Sequence, residues 1–118
     1  MSRYLMLLHG TPPASPPPDL MEAIMTLGQE ATRAGVLLDT QGLAPGGFRV
    51  ALSDGQLSVT DGPFAETKEL ISYAVYELRS REEAVEWASR FLTLHRDRWP
   101  GWEGDAEIRR VFSPEDFG

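Results

Sequence analysis

Apolar side chains recur along this chain with two different periods. Tyr4-Leu5-Met6-Leu7-Leu8 is an unbroken apolar run, the pattern of a strand covered on both faces. From Asp19 to Ala34 the period lengthens. Leu20, Ala23, Ile24, Leu27, Ala31 and Ala34 follow i, i+3, i+4, i+7 spacing, which draws one face of a helix, with Glu22, Gln29 and Arg33 opposite. The Pro-rich connector Thr11–Pro18 suits a helix start, and Asp19 and Glu22 suit the positive end of its dipole. Gly35 is the expected stop. Gly28 borders the apolar face, where it would let another backbone come close.

Val36 to Leu38 starts a second strand, and a loop rich in glycine and proline, Gln41 to Gly47, follows. Phe48, Val50 and Leu52 then alternate with Arg49, Ala51 and Ser53, as in a half-buried strand. Asp54-Gly55 is a two-residue type I′ hairpin signal. Leu57 and Val59 alternate with Gln56, Ser58 and Thr60 on the way back. Ile71 to Leu78 is another strand, with Tyr73 and Val75 on one face and Ala74, Tyr76 and Leu78 on the other. Ser80-Arg81-Glu82-Glu83 is a capping box. It opens a helix that Pro100 ends near Trp99. Ala84, Ala88, Phe91, Leu92, His95 and Trp99 share one face of that helix. Ala106 to Phe112 closes the strand set, and Ser113 to Gly118 is a tail. The order β-α-β-(hairpin)-β-α-β predicts an α+β fold of ferredoxin-like type with an added β-hairpin, in one domain over 1–118.

Composition narrows the function. The 118 residues are 42% hydrophobic, enough for a real core, and carry a formal net charge of −7. Cationic clusters are absent, so direct nucleic-acid binding is not expected. There is no cysteine, which removes disulfides, thiolate catalysis and most structural zinc sites. With 2 histidines, a histidine-rich metal site is not available either. Tyr4–Leu8 is too short for a secretory core, and nothing approaches a membrane span. The expectation is a cytoplasmic protein that needs neither metal nor cofactor.

The stretch Asp61-Gly62-Pro63-Phe64-Ala65-Glu66-Thr67-Lys68-Glu69 lies between two strands. Gly62-Pro63 forbids regular structure there, so it predicts a shaped loop presenting polar groups from a sheet. Asp61 could orient a histidine, or bond the backbone of its own turn. Lys68 could hold an anionic substrate beside Glu66 and Glu69, or all three could form a solvated surface. Phe64 reads as a core or dimer anchor. His95 falls near the middle of an apolar helix face, where an imidazole needs a hydrogen-bond partner and is suited to acid/base work; a satisfied core histidine is the plainer alternative. His9 ends the first strand, at a cleft position or simply in a turn. Trp99-Pro100-Gly101-Trp102 could wall a pocket or serve in packing. Without a nucleophilic thiol, a P-loop or a dinucleotide motif, proton transfer is the accessible chemistry.

The central stretch resembles the signature of the DGPF family, a branch of the YCII-related proteins. The likeness includes Tyr4–Leu8, Ala34–Leu38, Glu86-Trp87-Ala88-Ser89-Arg90 and the ending Arg110-Val111-Phe112…Glu115-Asp116-Phe117-Gly118. It implies a dimeric α+β barrel, in which two sheets close on each other in a homodimer and a small-molecule cleft remains between sheet and helices. It also implies an accessory role beside sigma factors, exerted through protein contacts. Some YCII-related proteins are proposed to carry a His–Asp pair with the histidine on the first helix. The first helix here has no histidine, so His95 or His9 would have to supply the imidazole.

Overall fold

The computed structural model of the chain describes residues 1–11, 15–62, 64 and 68–118. Its elements are β1 (Ser2–Gly10), α1 (Pro18–Arg33), β2 (Leu37–Gly42), β3 (Phe48–Ser53), β4 (Gln56–Asp61), β5 (Glu69–Leu78), α2 (Arg81–Arg98), β6 (Gly104–Arg110) and a short 3-10 helix, Pro114–Phe117. The main sheet is four-stranded, in the order β2-β5-β1-β6, and all three pairings are antiparallel. With the hairpin set aside, this is the strand order of the ferredoxin-like fold.

Both helices cover one face of this sheet. Met6, Ala74, Tyr76 and Leu78 meet Ala31 of α1 and Ala84 and Ala88 of α2 in one buried cluster. Small alanines on the helices let them lie close to the sheet, and the larger side chains come mostly from the strands. Leu20, the first apolar position of α1, is fully buried. Helix α1 starts at Pro17-Pro18 without a side-chain cap, whereas Ser80 Oγ accepts the Glu83 N–H (3.2 Å) at the start of α2. Arg90 and Glu30 join the two helices as an ion pair. On the opposite face of the sheet Leu5, Leu7, Tyr73 and Val75 remain only half-buried.

Several details depart from the sequence expectations. Phe48, Val50 and Leu52 are not half-buried: they are 73%, 64% and 71% exposed. The reason is topological. Among the described residues β3 pairs only with β4, in a separate two-stranded sheet, and no helix or third strand lies over its apolar face. The Asp54-Gly55 turn is as predicted, with both residues at positive φ (52° and 73°). Gly28 admits no close backbone, since a Cβ there would meet only a Leu37 methyl at 3.9 Å. β2 continues to Gly42, through residues expected to be loop. β6 starts at Gly104, ahead of the expected Ala106, and ends at Arg110. The tail is folded back: Arg110 donates to both oxygens of Asp116 (2.9 and 3.0 Å), and the Ser113 N–H donates to the same carboxylate (2.6 Å). These bonds hold Asp116 well below the usual carboxylate range.

Among the described residues no helix is long and apolar enough to cross a membrane, and no cluster of metal-ligating side chains occurs.

Candidate functional site

The last turns of α2 bring three rings over one end of the sheet. Phe91, His95 and Trp99 recur at i, i+4 and i+8, so they stack along one helix face. His95 is only 4% exposed. Its Nδ1 lies 2.9 Å from the Phe91 carbonyl oxygen. A carbonyl can only accept, so Nδ1 carries the proton. In the neutral ring the lone pair is then on Nε2, which has no protein partner among the described residues. Burial lowers the His95 pKa, and the bond to Phe91 offsets this only in part. The Phe91 ring meets the imidazole edge-on at 4.8 Å, and the Trp102 ring lies on it at 4.5 Å.

Trp102 has a floor made for it. The Trp102 N–H donates to the Trp99 carbonyl (3.0 Å), and Gly101, at φ +83°, turns the chain back towards the sheet. There Gly10 of β1 and Gly104 of β6 are cross-strand partners. A Cβ at Gly10 would lie 2.6 Å from the indole, and one at Gly104 would collide with the indole and with the His9 carbonyl. Two facing glycines thus leave a flat place where an aromatic ring can lie on the backbone. The indole Nε1 is buried without a hydrogen-bond partner among the described residues.

A cleft of ≈ 730 Å³ opens in front of these rings. Phe91, His95, Trp99 and Trp102 form one wall, Leu20 and Ile24 of α1 another, and Glu69 lies at the rim on β5. The volume is within the range of pockets that hold small organic molecules, and mostly apolar walls with few polar groups are typical of them.

A second cleft of ≈ 820 Å³ lies where the hairpin leaves the sheet. His9, Lys68, Arg49 and Phe64 line it, and Glu69 borders it too. His9 Nδ1 is 3.6 Å from one Asp105 oxygen, and Lys68 Nζ is 3.2 Å from the other. The Arg49 guanidinium lies 3.6 Å above the Phe64 ring. Leu8 and Gly10 face the helices, so His9 between them points to the other side of the sheet.

The sequence candidates therefore divide. His95 and Trp99 share the first cleft; His9 and Lys68 share the second; Glu69 touches both. Asp61 sits exposed at the base of the hairpin opposite Phe48 and lines neither. Glu66 lies outside the described residues, as do Pro63, Ala65 and Thr67.

A family model described as YCII-related domain matches residues 2–93. The chain belongs to the YCII-related family. The match spans β1 to most of α2, including Phe91 but not His95. No curated protein matches this YCII-related chain. Among solved structures, one named as that of "a putative monooxygenase from Shewanella loihica PV-4" is similar at 21% identity, over 96% of this chain and 98% of that one, with a TM-score of 0.37. That likeness is loose in three dimensions and carries nothing about activity.

Two groups at these clefts escaped the sequence. The sequence starts the closing strand at Ala106, just past Asp105, and the β1–β6 register is what sets Asp105 opposite His9. The paired glycines under Trp102 are far apart in the chain. The signal that could have found them is a tryptophan just after a Pro-Gly turn, followed closely by a glycine that opens a strand.

Proposed function

We propose that this YCII-related chain binds a small, largely apolar organic molecule in the cleft in front of α2, and that His95 Nε2 takes a proton or a hydrogen bond from it. The observation that carries the reading is the state of His95. It is buried at a cleft wall, its Nδ1–H is committed to the Phe91 carbonyl, and its basic nitrogen has no partner among the described residues. A histidine placed only for packing would more commonly satisfy both nitrogens. Trp99 and Trp102 supply flat apolar contact, and Glu69 at the rim suits a polar end of the ligand. The reaction class is proton transfer without a cofactor, of lyase or isomerase type, since the ring held neutral by burial is a base at physiological pH.

The test is a titration of the two imidazoles by NMR, alone and with a set of small organic acids, enols and phenols. The expected result is that His95 titrates below the ordinary histidine range and shifts again with one ligand class, while His95→Gln abolishes that ligand's effect. An ordinary, ligand-blind His95 would overturn the reading.

The Asp61–Glu69 stretch supports placing the chain in the DGPF branch, and with it a homodimer and a cytoplasmic location. A second reading, a non-catalytic accessory module acting through protein contacts, is favoured by one feature, the uncovered apolar face of the hairpin.

A further inference from the structure

Gly28 stands well inside α1 (Pro18–Arg33), where glycine is a poor helix former. The usual reason for one there is a second backbone that comes close. None does: a Cβ on Gly28 would have only a Leu37 methyl near it, at 3.9 Å. What the missing side chain leaves is space. A pocket of ≈ 60 Å³ lies between α1 and the sheet at this point. Leu27 and Gly28 border it from the helix, Met6 and Ala74 from the middle of the sheet, and Leu37 from β2. The Thr40 hydroxyl at its edge already donates to the Tyr73 carbonyl (2.8 Å). Most of the wall is aliphatic or aromatic.

This pocket continues the His95 cleft inward. Leu8, Ile24, Thr40, Ser72 and Phe91 line both spaces. From these shared residues each element steps in the same direction. β1 leads from Leu8 to Met6, β5 from Ser72 to Ala74, and α1 from Ile24 to Leu27 and Gly28. All three lead away from the end of the sheet where Trp102 lies on Gly10 and Gly104. Phe91 stands where the two spaces meet, one helical turn from His95, a rise of about 5.4–6 Å over four residues. The polar end of the combined space is His95, and its inner end is the gap beside Gly28.

We infer that the ligand of the His95 cleft carries a short alkyl chain: its hydroxyl-bearing head meets His95 Nε2, the chain enters the pocket beside Gly28, and Gly28 sets the length of chain that fits. A phenol illustrates the fit. With its hydroxyl on Nε2, the ring spans about one helical turn, so its para carbon arrives at the level of Phe91, where the inner pocket begins. A methylene takes about the room of a water, so ≈ 60 Å³ admits about three of them. Each methylene removed from water should tighten binding about fourfold. The inference rests on the reading of His95 as the polar end of the cleft and adds the shape of the ligand.

The test uses the full chain and a series of phenols with straight para-alkyl groups, from phenol itself to para-hexylphenol. Calorimetry gives each affinity, and NMR follows the His95 imidazole and the methyl groups of Leu27 and Leu37. Affinity should rise about fourfold per methylene over about the first three and then level off. His95 should respond to every member, and the Leu27 and Leu37 methyls only to those with a chain. In Gly28→Ala the rise should stop about one methylene earlier, since one carbon now occupies the pocket. In Gly28→Leu, which also introduces a better helix former, the rise should be absent. Should Gly28→Leu fail to fold, Gly28→Ala and the native series still decide. Affinity that does not grow with the chain, that grows undiminished to para-hexylphenol, or that grows alike in the native chain and Gly28→Ala overturns the inference. A responsive His95 in those cases leaves the reading of the cleft standing. A His95 blind to the whole series overturns both.

Discussion

Two β regions in this chain carry the same kind of sequence and meet different fates. β5 and β3 both place apolar side chains on one face at every second position. In β5, Ala74, Tyr76 and Leu78 are buried under the helices; in β3, Phe48, Val50 and Leu52 face outward, 64–73% exposed, with no helix over them among the described residues. Alternation states which residues lie on the same face. It does not state what lies over that face, because the cover comes from elements elsewhere in the chain or in another chain. For β5 the cover is α2, which follows directly. For β3 no helix follows within the hairpin, and its one neighbour among the described strands is β4.

Substitution of equally apolar side chains breaks this comparison most sharply. Leu20, fully buried, should lose about 3–4 kcal/mol of stability as Leu20→Ala, the transfer free energy plus a cavity. Leu57→Ala on the hairpin removes the same atoms from a site that is 74% exposed and should cost less than about 0.5 kcal/mol in the monomer. Urea unfolding of both variants measures the gap. Equal costs would mean that the hairpin face is covered within one chain.

The glycines repeat the contrast on a smaller scale. Gly104→Ala pushes a methyl into Trp102 and the His9 carbonyl, and overpacking of this kind costs about 1–3 kcal/mol. Gly42 has nothing within 4 Å of a Cβ and an ordinary negative φ, so Gly42→Ala should be close to neutral. The urea midpoints separate these outcomes. The tryptophan emission should shift for Gly104→Ala alone, because that variant displaces the indole beside His95.

How much of this was readable before the structure depended on the range of the interaction. The helical period of α1, the Ser80 cap, the Asp54-Gly55 turn and the place of His95 on a buried helix face are all local, and each stood in the sequence. The split β-α-β order was enough for the ferredoxin-like sheet. Register was not local. Nothing near Asp105 tells that it lies opposite His9, and nothing near Gly10 tells that Gly104 and Trp102 come to it. The division of the candidates between two clefts has the same origin. Lys68 and Asp61 are close in sequence, but the start of β5 carries Lys68 to the sheet and leaves Asp61 on the hairpin. Exposure of the hairpin was missed because a half-buried strand and an uncovered one are written with the same alternation.

pH gives a third, weaker test, a slope rather than a step. Burial holds the folded pKa of His95 below its unfolded value. Between the two values the unfolded chain binds the proton and the folded chain does not, so stability rises with pH there. The contribution of the neutral ring is complete above the ordinary histidine range, about 6.5, and is lost as pH falls through the folded value. Carboxylates titrate in the lower part of the same window. The useful quantity is therefore the difference in urea midpoint between the native chain and His95→Gln. It should shrink steadily from pH 7.5 downward. A difference independent of pH would mean that His95 titrates alike folded and unfolded, and would remove the basis for its neutral state.

The smallest global effect should come from breaking the hairpin turn itself. Gly55 has φ +73°, a region that costs an L-residue about 1–2 kcal/mol and is worst for a β-branched one. A two-stranded hairpin has little stability to lose, so Gly55→Val should unfold β3 and β4 locally. Hydrogen exchange should accelerate at β3 and β4 amides and remain slow at β1 and β5 amides, with an unchanged urea midpoint. That outcome would make the hairpin a separate folding unit, retained for what it meets rather than for what it adds to the sheet. A midpoint that falls along with the hairpin amides would instead join the two sheets into one cooperative body, and the contrast between β3 and β5 would then concern solvent exposure alone.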